Sequence, residues 1–369
     1  MVFPDIGMDA QSLKLAVLRL APIQCSCWGH PITSGSPNIE YFLSGDLMEP
    51  DNAQSHYSET LVRLPKLGFC YPKPQFPQIA KTRADYQLPE DAIVYLACQS
   101  FYKYLPQYDY IFAQIARRIP RAKFVFICRY SSHINQQFHQ RLQRAFTQVG
   151  LDADKFCVLL PRQNGDDYLN LHLISDIFLD SIGWSGGNTS LEAIAASLAV
   201  VTLPGEFMRG RHTYAMLKIL EMEDTIVQDE AEYIDVAVRL AEDPDWRKSI
   251  VERMRSRHDR LYEDTTCVRA LEEFYQAAIN PQNQDELLKS AIAYHQTGRW
   301  TEAQQIYQQI LWRNPQECNA LYLSGAIAYH SGNLVAATQY FRQTIAVCSD
   351  HAEAHKRLGD ISLAQGDMD

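Results

Sequence analysis

A spacing of 34 residues recurs in the C-terminal part of the chain and limits what that part can fold into. Residues of the same kind share this spacing: Ala303 and Ala337, Ala320 and Ala354, Tyr307 and Phe341, and Gly298, Gly332 and Gly366. Such a period is typical of stacked helix pairs, with small residues where two helices touch and glycine in the turn. We therefore expect residues 284–369 to be helical throughout.

The period also indicates the kind of helical repeat. A 34-residue unit with an aromatic residue in its second helix and a proline at its end, here Pro315, is the tetratricopeptide pattern. An unrelated helical bundle is the alternative, but it would not keep one spacing at several positions. Residues 284–369 would then hold two full repeats and a partial one, and repeats of this kind present surfaces that bind other proteins.

A different pattern precedes the repeats, because short apolar segments alternate with helical ones. The apolar segments, rich in Val, Ile and Phe, are 92–100, 123–129, 156–161, 176–182 and 199–205. The helical stretches lie near 107–118, 133–148, 167–175 and 189–197. This alternation predicts a parallel sheet with helices on both faces, in which ligands bind at the carboxyl ends of the strands. The polar stretch 280–286 is the predicted linker to the repeats.

Composition excludes several classes of protein. The net charge is −10, which disfavours a nucleic-acid partner because such binding needs concentrated Lys and Arg. No apolar run reaches the roughly 18 residues that span a bilayer, and Pro4, Asp5 and Asp9 interrupt the N-terminus where a signal peptide is apolar. The nine cysteines include no CxxC pair, so we expect reduced, mostly buried thiols and a cytoplasmic location.

Two glycines closely precede the helical stretch 189–197. Glycine loses more backbone entropy on folding than other residues, so its presence there calls for an explanation. Gly186 and Gly187 follow the apolar segment 176–182, so they form a strand-to-helix loop above the predicted sheet. Free N–H groups at a helix start attract an anion, most often a phosphate, and Thr189 adds a hydroxyl. Glu192, about one turn later, is suited to a ribose diol. The loop therefore suggests a nucleotide diphosphate.

An ordinary capped helix is the alternative reading of the same loop. Asn188 and Thr189 are both good N-cap residues, and glycine-rich turns are weakly specific. The loop alone leaves both readings open.

Two more loops reach the same predicted edge of the sheet. Ser100, Tyr102 and Lys103 follow the segment 92–100, and a lysine there would offset the charge of a departing diphosphate. An ordinary surface lysine is the alternative. Beyond the segment 199–205, the residues Arg209, Arg211 and His212 add up to three cationic groups. Positive charge is mildly unfavourable at the start of the next helix, which favours a functional role.

An ordered series of segments covering about residues 1–278 resembles the O-linked N-acetylglucosamine transferase and SPINDLY-like protein glycosyltransferases. The segments are FPDIGMD (3–9), RLAPIQCSCWGHPITSG (19–35), HYSETLVRLP (56–65), CQSFYKYLP (98–106), LPRQNGDDYLNLHLISDIFLDS (160–181) and WSGGNTSLEAIAASLAVVTLPG (184–205). Members of that family also commonly carry tetratricopeptide repeats in the same chain. The order of the segments makes the resemblance more specific than any one motif.

The resemblance implies a GT-B fold, in which two Rossmann-like lobes hold a nucleotide-sugar in their cleft. Residues 1–75 would be the remnant of an incomplete N-terminal lobe and residues 76–279 the donor-binding C-terminal lobe. The implied activity is inverting transfer, without metal or further cofactor, to Ser or Thr of an acceptor protein. The usual donor is UDP-N-acetylglucosamine, whereas SPINDLY-type members use GDP-fucose.

The resemblance also assigns roles by position. Lys103 looks like the lysine that holds the donor phosphates and is our first catalytic candidate. Asn188 and Thr189 look like the pair at the helix start that binds the diphosphate, and Glu192 looks like the ribose ligand.

Other positions are also expected near the nucleotide. Tyr168 falls where members often place a histidine, and Gln163 and Arg211 are assigned to the donor as well. Ser100 stands where transferases of N-acetylglucosamine tend to have Gln, and Gly187 where they tend to have His or Thr. These departures leave UDP-N-acetylglucosamine and GDP-fucose both open as donors.

The N-terminus of the chain bears on activity. In the resembling family the segment 3–9 is a late strand of the N-terminal lobe, so most of that lobe would lie upstream of Met1. His30 is the nearby imidazole and our second catalytic candidate, although a structural role is the alternative because no orienting partner is visible. The chain is therefore a glycosyltransferase, or its donor-binding part, or else an inactive remnant that acts as a tetratricopeptide interaction module.

Overall fold

The computed structural model divides the chain into two units, Met1–Leu271 and Glu272–Asp369. It describes residues 1–78, 81–128, 131–279 and 282–365. Gly366 and residues 280 and 281 of the predicted linker lie outside the described residues. The further division of the first unit at residues 75 and 76 stays a prediction.

The first unit begins with a small parallel sheet of four strands in the order β1-β2-β3-β4. These strands are β1 (Val2–Phe3), β2 (Cys25–Cys27), β3 (Tyr41–Gly45) and β4 (Thr60–Leu64). Helix α1 (Ala10–Ala16) connects β1 to β2, and the Asp9 carboxylate caps it by accepting a hydrogen bond from Ser12 N over 2.6 Å. Every residue of β3 is buried, as expected for an inner strand of a parallel sheet.

A second parallel sheet of five strands has the order β7-β6-β5-β8-β9. Its strands are β5 (Ile93–Leu96), β6 (Ala122–Ile127), β7 (Cys157–Leu160), β8 (Ile177–Leu179) and β9 (Ala199–Val201). Each strand overlaps one of the apolar segments found in the sequence, so the predicted parallel sheet is confirmed. The strands end earlier than the apolar segments because buried apolar residues such as Ala97 and Cys98 continue into the loops.

Helices pack against this sheet and close its core. They are α2 (Asp109–Arg118), α3 (Ser132–Thr147), α4 (Gly165–Ile174), α5 (Asn188–Ala195), α6 (His212–Ile219), α7 (Glu230–Glu242) and α8 (Pro244–Arg255). Helix α9 (Thr266–Ile279) follows them and contains the boundary between the two units. Aromatic rings fill the interior, where Tyr95 stacks on Phe124 with ring centroids 5.1 Å apart. Burial of one such side chain contributes roughly 1.5–3 kcal/mol.

The strand order creates a crevice at one place on the sheet. The chain runs outward from β5 through β6 to β7 and then returns to β8 on the other side of β5. The loops after β5 and β8 therefore leave the carboxyl edge in opposite directions, which is where ligands bind in open parallel sheets. The segments 97–103 and 180–187 lie at this point.

The second unit is a series of antiparallel helices. They are α10 (Gln282–Gln296), α11 (Trp300–Arg313), α12 (Cys318–His330), α13 (Leu334–Val347) and α14 (Ala352–Gln365). The periodic small residues lie where helices touch, since Ala303, Ala320, Ala337 and Ala354 are fully buried. Gly298 and Gly332 occupy turns with φ of +76° and +79°, a conformation that favours glycine. The predicted repeats are thus confirmed in the described residues.

Two cysteines of the second unit contradict the prediction of reduced thiols. Cys318 and Cys348 are disulfide-bonded, with Cα atoms 6.4 Å apart. Cys318 begins α12 and Cys348 follows the end of α13, and the antiparallel pairing of these helices brings the two residues together. They are 30 residues apart in the sequence, so the pairing could not be seen there. The other seven cysteines are free, and five of them are buried.

No helix within the described ranges is long and apolar enough to cross a membrane.

Candidate functional site

Helix α5 begins without a side-chain cap. Gly187 is the N-cap residue, and no side chain accepts a hydrogen bond from the first turn. The backbone N–H groups of Gly187, Asn188 and Thr189 find no acceptor among the described residues. Asn188 and Thr189 are the first helical residues, so the reading in which one of them caps the helix is wrong. The first turn therefore presents N–H groups and the positive end of the helix dipole to an anion.

Close packing explains the first of the two glycines. A Cβ on Gly186 would lie 2.3 Å from Ser190 Oγ and 2.4 Å from Gln99 Nε2, so a larger residue would force these side chains to move. A Cβ on Gly187 would meet nothing within 4 Å. Gly186 is thus buried beneath neighbouring side chains, whereas Gly187 leaves open space in front of the helix start.

A buried carboxylate fixes the shape of this loop. The carboxylate of Asp180 accepts hydrogen bonds over 2.7 Å from Gly186 N, Ser185 Oγ and Thr202 Oγ1. Burial raises the pKa of Asp180, and these hydrogen bonds oppose that shift. Sequence reasoning missed this residue, although an aspartate directly after a buried strand was a usable signal. Asp180 stabilises the loop by holding its backbone from below.

Gln99 joins the loops that follow β5 and β8. Its amide Nε2 donates to Thr189 Oγ1, and its Oε1 accepts from Lys103 Nζ over 3.3 Å. Lys103 Nζ also donates to Ser185 O over 3.1 Å. The structure therefore brings Lys103 and Thr189 together at the crevice, as the sequence predicted, through a buried glutamine that sequence reasoning did not select.

Glu192 is held by a tyrosine. Tyr168 Oη donates to Glu192 Oε2 over 2.8 Å and lies 3.6 Å from Cys98 Sγ. Burial, together with the charge of Glu192, raises the pKa of Tyr168, so the phenol keeps its proton and remains a donor. Burial and the same carboxylate raise the pKa of Tyr71. Glu192 is therefore an oriented carboxylate about one turn into α5.

Three other predicted ligands make only local contacts. Ser100 precedes the short 3-10 helix 101–103, and its carbonyl accepts from Lys103 N over 2.9 Å. Gln163 Nε2 donates to Pro161 O over 2.7 Å. Arg211 donates to Gly205 O over 3.2 Å and lies over the ring of Tyr214. Their assignment to a nucleotide stays a prediction.

The two histidines near the crevice are neutral at pH 7. The ring centroid of His30 lies 6.1 Å from that of Trp184, and burial lowers the pKa of His30. Burial and the nearby charge of Lys103 lower the pKa of His212 to about 4. The expected group of up to three cations after β9 is therefore reduced to Arg209 and Arg211, because the imidazole of His212 is desolvated.

Comparison with known proteins identifies the family of the chain. The sequence model described as glycosyl transferase family 41 matches residues 71–266, more than half of the chain. The chain belongs to glycosyl transferase family 41. A tetratricopeptide repeat model matches residues 287–317. The resemblance read from the ordered segments is confirmed.

Curated relatives of this family 41 chain are much longer than it is. It is 26% identical over 226 residues to a probable UDP-N-acetylglucosamine–peptide N-acetylglucosaminyltransferase SPINDLY of Solanum lycopersicum, a match that covers 61% of the chain and 24% of the relative. It is 26% identical over 242 residues to the corresponding probable transferase SEC of Arabidopsis thaliana, covering 62% of the chain and 23% of the relative. The chain spans about a quarter of the length of these relatives.

A solved structure shows the fold of the family. The family 41 chain is similar to a point mutant of the Thermobaculum terrenum O-GlcNAc transferase, with a TM-score of 0.64 and 26% sequence identity. The similarity covers 74% of this chain and 51% of that protein. The predicted GT-B-type architecture is confirmed.

Proposed function

We propose that the first unit binds a nucleotide-sugar and transfers the sugar to a serine or threonine hydroxyl of an acceptor protein. The uncapped start of α5, facing Lys103 at the switch point of the second sheet, carries this proposal. The relatives are named for transfer from UDP-N-acetylglucosamine to peptides, which favours that donor. GDP-fucose is the second candidate donor.

The proposed chemistry needs positive charge at the leaving group. The backbone N–H groups of Asn188 and Thr189 would bind the diphosphate, and Lys103 would stabilise the charge that builds up as the bond to the anomeric carbon breaks. The acceptor oxygen forms the new bond on the opposite face of the sugar and loses its proton. His30, kept neutral by burial, stays our candidate for receiving that proton. This set needs no metal ion or additional cofactor.

The remaining ligands would select the nucleoside. Glu192, oriented by Tyr168, is suited to the ribose hydroxyls. Gln163 and Ser100 are proposed near the base and phosphates, and Gly187 leaves room for the diphosphate. Arg211 would have to leave the carbonyl of Gly205 to reach the donor.

Calorimetric titration of the whole chain with UDP and with GDP tests the donor site. We expect UDP to bind, and Lys103→Ala to weaken binding by about 1.5–3 kcal/mol, or about 10- to 150-fold, because a charge-assisted hydrogen bond is lost. Lys248→Ala, which removes a lysine exposed on α8, is the matched control and should leave the affinity unchanged. Absence of binding by either nucleotide at millimolar concentration would contradict the proposal.

The second unit supports a further role in binding protein partners, because a tetratricopeptide model matches it and apolar side chains such as Trp300 and Val335 are exposed on it. An inactive interaction module is the alternative function. This alternative predicts that the chain binds protein partners but binds neither UDP nor GDP in the calorimetric titration. The cytoplasm stays our proposed location because seven of the nine cysteines are free, although the Cys318–Cys348 disulfide is unusual for that compartment.

A further inference from the structure

A cavity of about 740 Å³ opens beside the proposed diphosphate site, a size suited to a small ligand or a peptide segment. Two aromatic residues form the wall nearest that site. Tyr102 precedes Lys103 in the chain, and Trp184 precedes Ser185, whose carbonyl binds Lys103. Their rings meet edge to face with centroids 5.8 Å apart. The cavity therefore borders the loops that follow β5 and β8.

The wall toward β9 is acidic. Glu206 follows β9, while Asp229 and Glu230 lie at the start of α7, and all three line the cavity. Arg209 supplies the lining's single cation, and its guanidinium already lies over the ring of Phe207, 4.4 Å from the centroid. Three carboxylates against one guanidinium give this wall a net negative charge.

The order of groups in the reaction puts the acceptor and the diphosphate on opposite sides of the sugar. In an inverting transfer the sugar lies between the leaving diphosphate and the attacking hydroxyl, so the acceptor approaches from the side away from the start of α5. The carboxyl end of β9 is one strand further along the sheet from β8, about 4.8 Å away. An acceptor polypeptide that reached a sugar held at Tyr102 and Trp184 through this cavity would pass the acidic wall.

We propose that this cavity receives a lysine or arginine side chain of the acceptor polypeptide, close to the serine or threonine that is modified. Aromatic faces and carboxylates both attract a cation, and the two kinds of group line the same cavity. This inference rests on the proposed function and names the substrate class of the same site. A monosaccharide without any peptide preference is the competing occupant, because aromatic walls also suit sugar rings.

Fluorescence anisotropy of labelled peptides, without any donor present, tests the inference. One short peptide carries a serine flanked by lysines, and its partner has glutamine at the lysine positions. We expect the lysine peptide to bind about tenfold more tightly, because cation–π contacts and exposed ion pairs each add a modest gain. The difference should shrink as the salt concentration rises.

A double variant, Asp229→Asn with Glu230→Gln, removes two of the charges without removing the cap of α7. The Asp229 carboxylate accepts from Glu232 N over 2.8 Å, and asparagine is an equally good N-cap, so the helix should stay intact. We expect this variant to bind the lysine peptide about threefold to tenfold more weakly and the glutamine peptide unchanged. Glu252→Gln, an exposed carboxylate on α8, is the matched control and should keep the preference.

The outcomes separate this inference from the proposed function. Equal binding of the two peptides, or a preference that survives the double variant, would overturn the inference. Displacement by free N-acetylglucosamine of a peptide bound without charge preference would identify the cavity as a sugar pocket and overturn it as well. UDP titration of the same protein reports on the donor site alone, so normal UDP binding with no peptide preference contradicts only the inference.

Discussion

The first unit has one large apolar core and one small cluster around Phe3, whereas the second unit has small clusters along its helices. The large core extends from Phe42 in the first sheet to Tyr262 near the end of the unit. In the second unit, one cluster gathers around Tyr307 and another around Phe341. Repeats of this kind are stabilised by contacts between neighbours, so a change there acts locally, while a change in the first unit affects the whole sheet and its site.

The same contrast holds for polar groups. In the first unit, buried hydrogen bonds join loops that are distant in sequence, as Gln99 does with Thr189 and Asp180 does with Thr202. In the second unit, the polar contacts are mostly local, such as the Asn333 carboxamide that caps α13. Function in the first unit therefore depends on its global fold. The four predictions below test this contrast, from the largest effect to the smallest.

Acid should unfold the first unit before the second. Burial lowers the pKa of His172 and of His212 to about 4, from an ordinary value of 6.5. As the pH falls below 6.5, the histidines of the unfolded chain become protonated while those of the folded chain stay neutral. Protonation therefore stabilises the unfolded state, and the free energy of unfolding decreases steadily until the pH reaches about 4. Each of these two histidines lowers the free energy of unfolding by roughly 3 kcal/mol at pH 4. Urea denaturation between pH 7 and 4.5, followed by intrinsic fluorescence, measures this loss.

A single variant measures how much of the acid effect comes from His172. His172→Asn should remove about half of the pH dependence, since asparagine keeps a donor for the carbonyl of Tyr168 but does not titrate, while His212 still titrates. His139→Asn changes an imidazole at the surface of α3 and is the control. An unchanged slope in the first variant would contradict the assignment of acid sensitivity to His172.

Phe124→Ala should destabilise the first unit by about 3–5 kcal/mol, the usual cost of a cavity in place of a buried aromatic ring. Phe124 is fully buried between Tyr95 and Phe112, with ring centroids 5.1 and 5.4 Å away. Hydrogen exchange should show faster exchange throughout the second sheet and unchanged exchange in α12 and α13. Equal acceleration in both units would mean that they unfold as one body, and the contrast between their cores would be wrong.

The strands and helices of the first unit could be predicted because their causes are local. Five apolar runs and the periods between them indicated the sheet, and the two glycines with Asn188 indicated the helix start. The partners of these residues could not be predicted, because Gln99 and Thr189 meet only after β5 and β8 are placed side by side. Cys318 and Cys348 escaped notice for the same reason, since only the antiparallel packing of α12 and α13 joins them.

Cys318→Ser should lower the stability of the second unit by about 3–4 kcal/mol, because the disulfide closes a loop of 30 residues and restricts the unfolded chain. Thermal unfolding with and without reductant measures the effect, which should be confined to α12 and α13 by hydrogen exchange. Cys70→Ser, at an exposed free cysteine, is the control. A melting curve that reductant does not shift would show that the disulfide adds no stability.

Glycine serves different needs in the two units, and this gives the smallest predicted effect. The turn glycines Gly298 and Gly332 are required for their positive φ, whereas Gly186 is required because a Cβ would lie 2.3 Å from Ser190 Oγ and 2.4 Å from Gln99 Nε2. These contacts are side-chain ends that can shift, so we expect Gly186→Ala to cost about 1–2 kcal/mol, at the low end for overpacking. The shift would break the hydrogen bond from Gln99 to Thr189. The loss in the free energy of UDP binding should therefore exceed the loss in the free energy of unfolding.

Gly187→Ala is the matched variant for this test, because a Cβ there meets nothing within 4 Å. Its effect on the unfolding free energy should be about 0.5–1 kcal/mol, because alanine is a poorer N-cap residue than glycine but makes no close contact here. The two variants add the same methyl group to adjacent residues, so general effects of alanine in the loop cancel. Suppose that both variants weakened UDP binding equally and left the free energy of unfolding unchanged. The added methyl group would then act by occupying the space in front of α5, where the diphosphate is proposed to bind. The packing of Gln99 beneath Gly186 would then not be what positions the site.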